Sequence, residues 1–274
     1  MTNTRREKPP GLGEEQASVF LAESVARAYR YRPPHPAAVP DLLLSLLGDA
    51  GGAVLDVGSG TGDLGRALVT ADTVTRVDAV DMSAAMVAEG RTTAHGDHPN
   101  LHWICARVED ADLSPPYALA VAGDSLDWMD WYATLPRLHD ALTQDGLLAI
   151  VQRTWGTDAP QERELIGRHS TNQAWQPYDL VPELATRGLF RVVNHLRMAA
   201  TWHPTIEEYV ESRHAQASLS RARMGADSAA AFDRDLADLL QRLVSEGRVR
   251  TVGNRLHLQV VATVAWGRPQ PGPA

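Results

Sequence analysis

One cysteine (Cys105), three phenylalanines and a single lysine (Lys8) stand in a chain of 274 residues. One cysteine cannot build an intrachain disulfide framework or a zinc cluster, so a reducing, cytoplasmic setting is expected. Cys105 itself reads as a small buried hydrophobe on a strand. No apolar run reaches the roughly 18 residues of a membrane-spanning candidate. The opening residues, MTNTRREKPPGLGEE, have no apolar core and do not read as a secretory signal. Lys and Arg total 26 against 34 Asp and Glu, a formal net charge of −8. Such a surface repels phosphate backbones, which argues against nucleic-acid or membrane-surface binding. With a single cysteine in the chain, a metal site has little support. The preference for arginine over lysine, with abundant alanine, reads as a GC-rich bacterial genome.

Hydrophobic residues make up 44% and charged residues 22%, values of an ordinary globular chain. Residues 1–15 read as a disordered leader, and 16–274 as one domain. Apolar residues at helical spacing predict helices over 17–30 and 41–50. From residue 53 strands and helices alternate. Strands are predicted at 53–57, 75–81, 101–108, 117–124 and 147–154, with helices at 63–70, 83–94 and 131–142 and Ser83 as an N-cap. This rhythm implies βαβ units and a parallel sheet. Beyond it, long strands are expected at 190–202 and 255–266, paired with each other. Residues 205–246 between them read as helical. The expected fold is α/β: a Rossmann-like, seven-stranded, mostly parallel sheet with the last strand antiparallel. Segments 16–40 and 205–246 are expected to form a helical lid over it.

The most informative segment is VLDVGSGTGDLG at 54–65. Gly58, Gly60 and Gly62 occupy alternate positions where a strand turns into a helix. Glycines there admit positive φ and close approach of a ligand to the backbone. The helix that follows offers free N–H groups. Loops at the carboxyl end of a first strand bind nucleotide-like ligands, and Asp81, ending the second strand, can accept both hydroxyls of a ribose. Gly60, Gly62 and Gly65 also spell G-x-G-x-x-G, a weak signature of a dinucleotide site. Against a dinucleotide stands Asp56, inside the strand before the loop, where a diphosphate gains nothing from a carboxylate. S-adenosylmethionine, with its ammonium, sulfonium and ribose and no phosphate, suits acids at both strand ends better. Asp56 serves either the loop or the ligand.

LDVGSGTG with the downstream VDAVDMS resembles class I S-adenosylmethionine-dependent methyltransferases. ARVEDADL (106–113), LPRLHDALTQDGLLAIV (135–151), AYRYRPPHP (28–36) and AGDSLDWMDW (122–131) are similar to further segments of that family. The last two resemble its small-molecule branch related to trans-aconitate methyltransferase. The resemblance implies that Gly58, Gly60 and Gly62 wrap the methionine end of the cofactor. It implies Asp81 on the ribose, Met82 on the adenine face, and Val108 and Glu109 at the adenine border. It places Asp124 facing the methionine portion, with Tyr29 and Arg32 closing over its carboxylate. The chain departs from the branch at Asp127-Trp128, where His-Trp is frequent.

Trp128, Trp131 and Tyr132 crowd the mouth of the fourth strand. They either line a substrate pocket or form an aromatic patch under the lid, and Tyr209 and Arg213 are expected to face them from the cap. Asp127 is either a general base or a solvated loop acid. His214 is either a catalytic group or a packing residue of a lid helix, and His35 presents the same choice at the cofactor entrance. The expected function is methyl transfer from S-adenosylmethionine to a small organic acceptor, leaving S-adenosylhomocysteine, in bacterial specialised metabolism. The absence of an Asn-Pro-Pro-Tyr segment after strand four speaks against amide or nucleobase nitrogen as acceptor. The alternatives are an NAD(P)-dependent oxidoreductase and an S-adenosylmethionine-binding protein or cyclase without methyl transfer. No nucleic-acid or membrane partner is expected, and the protein is expected to be a monomer or homodimer.

Overall fold

The computed structural model describes residues 7–271. Nine strands are present among them: β1 (Gly52–Val57), β2 (Val74–Asp81), β3 (Leu101–Cys105), β4 (Tyr117–Gly123), β5 (Leu142–Gly156), β6 (Phe190–Trp202), β7 (Thr251–Val252), β8 (Arg255–Leu256) and β9 (Leu258–Pro269). Seven of them form one sheet in the order β3-β2-β1-β4-β5-β9-β6, and β7 and β8 form a separate small hairpin. Pairing from β3 through β5 is parallel, and β9 runs antiparallel to both neighbours. The two long late strands pair as the sequence predicts, from Phe190 opposite Pro269 to Trp202 opposite Leu258.

Side chains alternate across a strand, so each strand feeds two cores. Leu55, Val57, Ala120, Ala122, Leu148 and Ile150 pack on one face against Trp131, Leu135 and Leu138 of helix Trp131–Ala141. Val54, Val77, Val121, Ala149 and Val151 pack on the other against Leu43, Leu64 and Leu68. A third core forms beside the sheet. Helix Ala226–Ser245 buries Phe232, Leu236, Leu239, Leu240 and Leu243 at spacings of three and four. These meet Leu165, Tyr209 and Val210, with Trp155 and Trp202 at the edge.

Three expectations require correction. Of the disordered leader expected at 1–15, residues 1–6 lie outside the described residues, and the rest is ordered: Leu12 is buried in the main core and Glu14–Ala17 is helical. Burial of one leucine and side-chain bonds to the segment outweigh its polar composition. The helices of 205–246 pack on each other and on helix Pro160–His169, and none of their residues lines the main cavity. Cys105 is exposed at the end of the short edge strand β3, where a buried thiol was expected. No helix among the described residues is long and apolar enough to cross a membrane.

Candidate functional site

Strand order reverses between β1 and β4, and the crevice beyond their carboxyl ends is where open α/β sheets bind ligands. A cavity of about 1040 Å³ occupies this position. The Ser125 hydroxyl, just past β4, donates to the carbonyl of Val57 at the end of β1 (2.6 Å) and ties the two strand ends together. Gly58 follows at φ +64°, and a Cβ there would stand 2.6 Å from both Ser125 Cβ and Met129 Cε. Only glycine fits. Gly62 (φ +76°) turns the loop into helix Asp63–Leu68, against the indole of Trp103. It shapes the turn but lies outside the cavity wall, unlike Gly58 and Gly60.

Two carboxylates hold this loop from behind. Asp56, on β1, is buried and accepts the Gly65 amide at 2.9 Å. Burial raises its pKa to about 7; the Gly65 bond opposes the rise. Asp81 accepts the amides of Gly60 and Ser83, each at 2.8 Å, one on each oxygen. Its pKa is also raised by burial. Each oxygen retains an acceptor position, since a carboxylate offers about four lone-pair sites. The Ser83 hydroxyl accepts the Met86 amide and caps the next helix as predicted. Met82, Val108 and Glu109 line the same end of the cavity. Glu109 accepts from the Asp130 amide (3.0 Å) and the Thr134 hydroxyl (3.1 Å).

The opposite end is a network of charges. Arg32 donates to Asp124 at 2.7 Å, and its guanidinium lies 4.8 Å from the Tyr29 ring and 5.1 Å from that of Trp155. Arg153, on β5, reaches Asp124 twice, from its amide (2.7 Å) and its Nε (3.0 Å), and donates to the Pro33 carbonyl. Burial pushes the Asp124 carboxyl up, but Arg153 and Arg32 outweigh it and hold the group below its ordinary value. His35 is driven down to about 3, first by burial and then by Arg153, so its ring is neutral. Arg153 and Asp63 were missed by sequence reasoning. Arg153 stands next to last in the predicted strand 147–154, and the strand's carboxyl end was the signal that could have found it.

Trp128, Trp131 and Tyr132 line the third side, with Phe20 stacked 5.3 Å from Trp128. Trp131 is also fully buried, its indole N–H donating to the Leu126 carbonyl. The remaining predicted site residues are elsewhere. Asp127 is absent from the cavity wall; its carboxylate takes the Tyr178 hydroxyl, and burial raises its pKa. Tyr209 and Arg213 close on Glu162 in a buried cluster. His214 is buried, one ring nitrogen on the Leu219 carbonyl and the other on Asp233, both at 2.6 Å. These three side chains turn into the lateral helical core, while Ala217 of the same segment packs with Val19, Val25 and Trp128. Among the described residues no group of three or more His, Cys, Asp or Glu can hold a metal.

Residues 54–146 match the methyltransferase domain family. The chain is 31% identical over 98 residues to a malonyl-[acyl-carrier protein] O-methyltransferase of Acetivibrio thermocellus, covering 35% of this chain and 34% of that protein. It is 22% identical over 216 residues to the enzyme of the same name from Anoxybacillus flavithermus, covering 76% and 82% of the two chains. Among solved structures, a protein of Anaeromyxobacter dehalogenans described as a type II methyltransferase superposes with a TM-score of 0.60 at 21% identity, over 87% of this chain and 99% of that one. A Geobacter sulfurreducens methyltransferase superposes with a TM-score of 0.52 at 18% identity, over 93% and 98%. Residues 54–146 thus resemble a methyltransferase domain, and the chain shares the seven-stranded, Rossmann-like fold of these methyltransferase structures.

Proposed function

We propose that this protein transfers a methyl group from S-adenosylmethionine to a small organic acceptor with an aromatic or apolar body. One observation carries the reading: a single cavity joins the glycine loop and Asp81 to an aromatic wall of Trp128, Trp131 and Tyr132. The residues fit S-adenosylmethionine. Only glycine is tolerated at Gly58, Asp81 retains acceptor positions for ribose hydroxyls, and Arg32 Nε, His35 Nδ1 and Ser59 Oγ are buried at the wall with no hydrogen-bond partner. Buried polar groups without partners are uncommon, and at a cavity wall they are positions where a ligand can bond.

In this reading Gly58 and Gly60 hold the methionine end, Asp81 the ribose, Met82 the adenine face, and Val108 and Glu109 the adenine border. Tyr29, Arg32 and Asp124 bound the methionine terminus, joined there by Arg153. Asp56 fixes the loop through Gly65. When bound, the cofactor supplies an electrophilic methyl whose leaving group is a neutral thioether. The protein's task is therefore alignment and exclusion of water. The aromatic wall performs the second; a carboxylate acceptor needs no base, and Asp127 and His214 lie outside the cavity wall. Gly65 packs helix Asp63–Leu68 closely on Asp56 and Val77, a role that either cofactor class allows, and the buried acid Asp56 behind the loop favours a cofactor without a diphosphate.

The test has two steps. Titration with S-adenosylhomocysteine, followed by tryptophan fluorescence, should saturate while NAD(H) does not; the reverse result overturns the reading. Incubation with S-adenosylmethionine and a panel of small carboxylic acids, phenols and amines, read by mass spectrometry, should give one product heavier by CH₂ together with S-adenosylhomocysteine. A carrier-bound carboxylate, the acceptor class in the names of the Acetivibrio and Anoxybacillus proteins, forms a separate arm. Binding without any product from the panel favours the non-transferring alternative.

A further inference from the structure

The cover of the cavity begins earlier in the chain than the 16–40 segment expected to form a lid. Residues 7–14, followed by Ala17, Ser18, Phe20 and Leu21, lie along its wall. Among the described residues, the backbone of 7–13 makes no hydrogen bond to the backbone of the sheet. Side chains hold it instead. Asn172 donates to the Gly11 carbonyl at 2.9 Å, Arg187 to the Glu7 carbonyl at 2.8 Å, and Leu12 is buried in the main core. Two side chains fasten it to the loop after β4: Phe20, stacked on Trp128, and Lys8. Its Nζ donates to the carbonyls of Asp127 (2.5 Å) and Met129 (3.1 Å) and lies 5.3 Å from the Trp131 ring.

We propose that Lys8 is a positioning residue that clamps the segment 7–21 across the acceptor end of the cavity, and that this strap lifts to admit and release ligands. The inference rests on the functional reading above for what the cavity holds, but not for how the strap is held. The segment covers one side of the cavity, so its displacement widens the way in and out for a ligand. A strap held by side chains opens at less cost than one paired into a sheet, since no ladder of backbone bonds breaks. The clamp sits where the geometry requires it. Asp127 and Met129 flank Trp128, so the two bonds fix the strap to the loop that carries the aromatic wall. The groups facing Nζ are Asp127, Asp130 and Glu109, with Trp131 beneath; burial lowers the Lys8 pKa to about 8, and the three acids oppose that fall.

Hydrogen-exchange mass spectrometry on the full chain tests the strap without any ligand. Lys8→Met keeps an apolar stem and removes the donors. Exchange of peptides within 7–21 should accelerate at least tenfold, while helix Ala226–Ser245 stays protected. Lys8→Arg, which can still donate to two carbonyls, should restore most of the protection. Unchanged exchange in Lys8→Met overturns the proposal, as does equal loss in Lys8→Arg. Stopped-flow fluorescence with S-adenosylhomocysteine supplies the second arm: its dissociation should be at least tenfold faster from Lys8→Met than from the wild type, and equal rates overturn the proposal. If the wild type binds no S-adenosylhomocysteine, the cofactor reading fails and the exchange data alone decide on the strap.

Discussion

Arg32 and Asp124, 92 positions apart, meet at 2.7 Å, and Arg153 closes on the same carboxylate from β5. Asp124 holds φ at +54°, a left-handed conformation that aspartate and asparagine tolerate better than most residues. Asp124→Asn therefore removes charge without forcing the backbone. It leaves two buried guanidiniums sharing a neutral amide. Removing one partner of a buried pair costs about 3–5 kcal/mol, and urea denaturation should show a loss of that order. The sign with pH follows from the depressed carboxyl. The stabilisation by Asp124 is present above the ordinary carboxylate range and is lost as pH falls through the folded pKa. Asp124→Asn should thus be less acid-sensitive than the wild type.

Asp81 has two duties, and the substitutions can separate them. It anchors the Gly60 and Ser83 amides and offers its remaining lone pairs to the cavity. Asp81→Asn keeps one acceptor oxygen but loses charge-assisted bonds worth roughly 1.5–3 kcal/mol each. Calorimetry should show S-adenosylhomocysteine binding weakened by about one to two orders of magnitude. Asp81→Ala should weaken it further and also lower the thermal midpoint, because the loop loses its anchor. An unchanged dissociation constant in Asp81→Asn removes Asp81 from the cofactor site.

Asp56 should make the fold less stable as pH rises. Its folded pKa is raised to about 7 from an unfolded value of 3.8, so the folded state keeps a proton the unfolded state has lost. Between these values stability falls with rising pH, and above the folded pKa the loss is complete. The difference is on the order of 2–4 kcal/mol. Asp56→Asn cannot ionise and can still accept the Gly65 amide. Its denaturation midpoint should exceed that of the wild type at pH 8 and approach it at pH 4. A wild type whose stability is flat over that interval removes the assignment.

The sheet was legible because its signals are local. Alternation of strands and helices, a glycine triplet at a strand end and Ser83 before a helix each act within a few residues. That Gly58, Asp81 and Met82 line one cavity was legible for the same reason, since they sit at strand ends fixed by the topology. The cap was not. A segment such as ESRHAQASLSR shows an amphipathic helix but not which surface covers it. Tyr209, Arg213 and His214 were placed over the strand-4 mouth, although Glu162 and Asp233, their partners, draw them into a lateral core. The roof was misread in the opposite direction. Residues 7–14 carry little apolar pattern, and what orders them is a set of bonds from Arg187, Asn172 and Lys8 across long sequence separations.

His214 provides the sharpest contrast between the two readings of the cap. Its ring joins the Leu219 carbonyl to Asp233, which also accepts from Arg221, itself paired with Glu211. His214→Ala strips the bridge from a buried carbonyl and from a half-buried carboxylate, and leaves space beside Phe232, whose ring stands 5.5 Å from the imidazole. A buried acceptor left unsatisfied costs about 1–3 kcal/mol, and the lost packing adds to it. The thermal midpoint should fall by several degrees. Because His214 does not line the cavity, S-adenosylhomocysteine affinity at a temperature where both proteins are folded should stay within about twofold of the wild type, which is well under 1 kcal/mol. Trp128→Ala is expected to behave in the opposite way: it trims an aromatic residue half-buried at the cavity wall, so stability changes little while methyl transfer slows. Loss of cofactor binding in His214→Ala without loss of stability would return that histidine to the site.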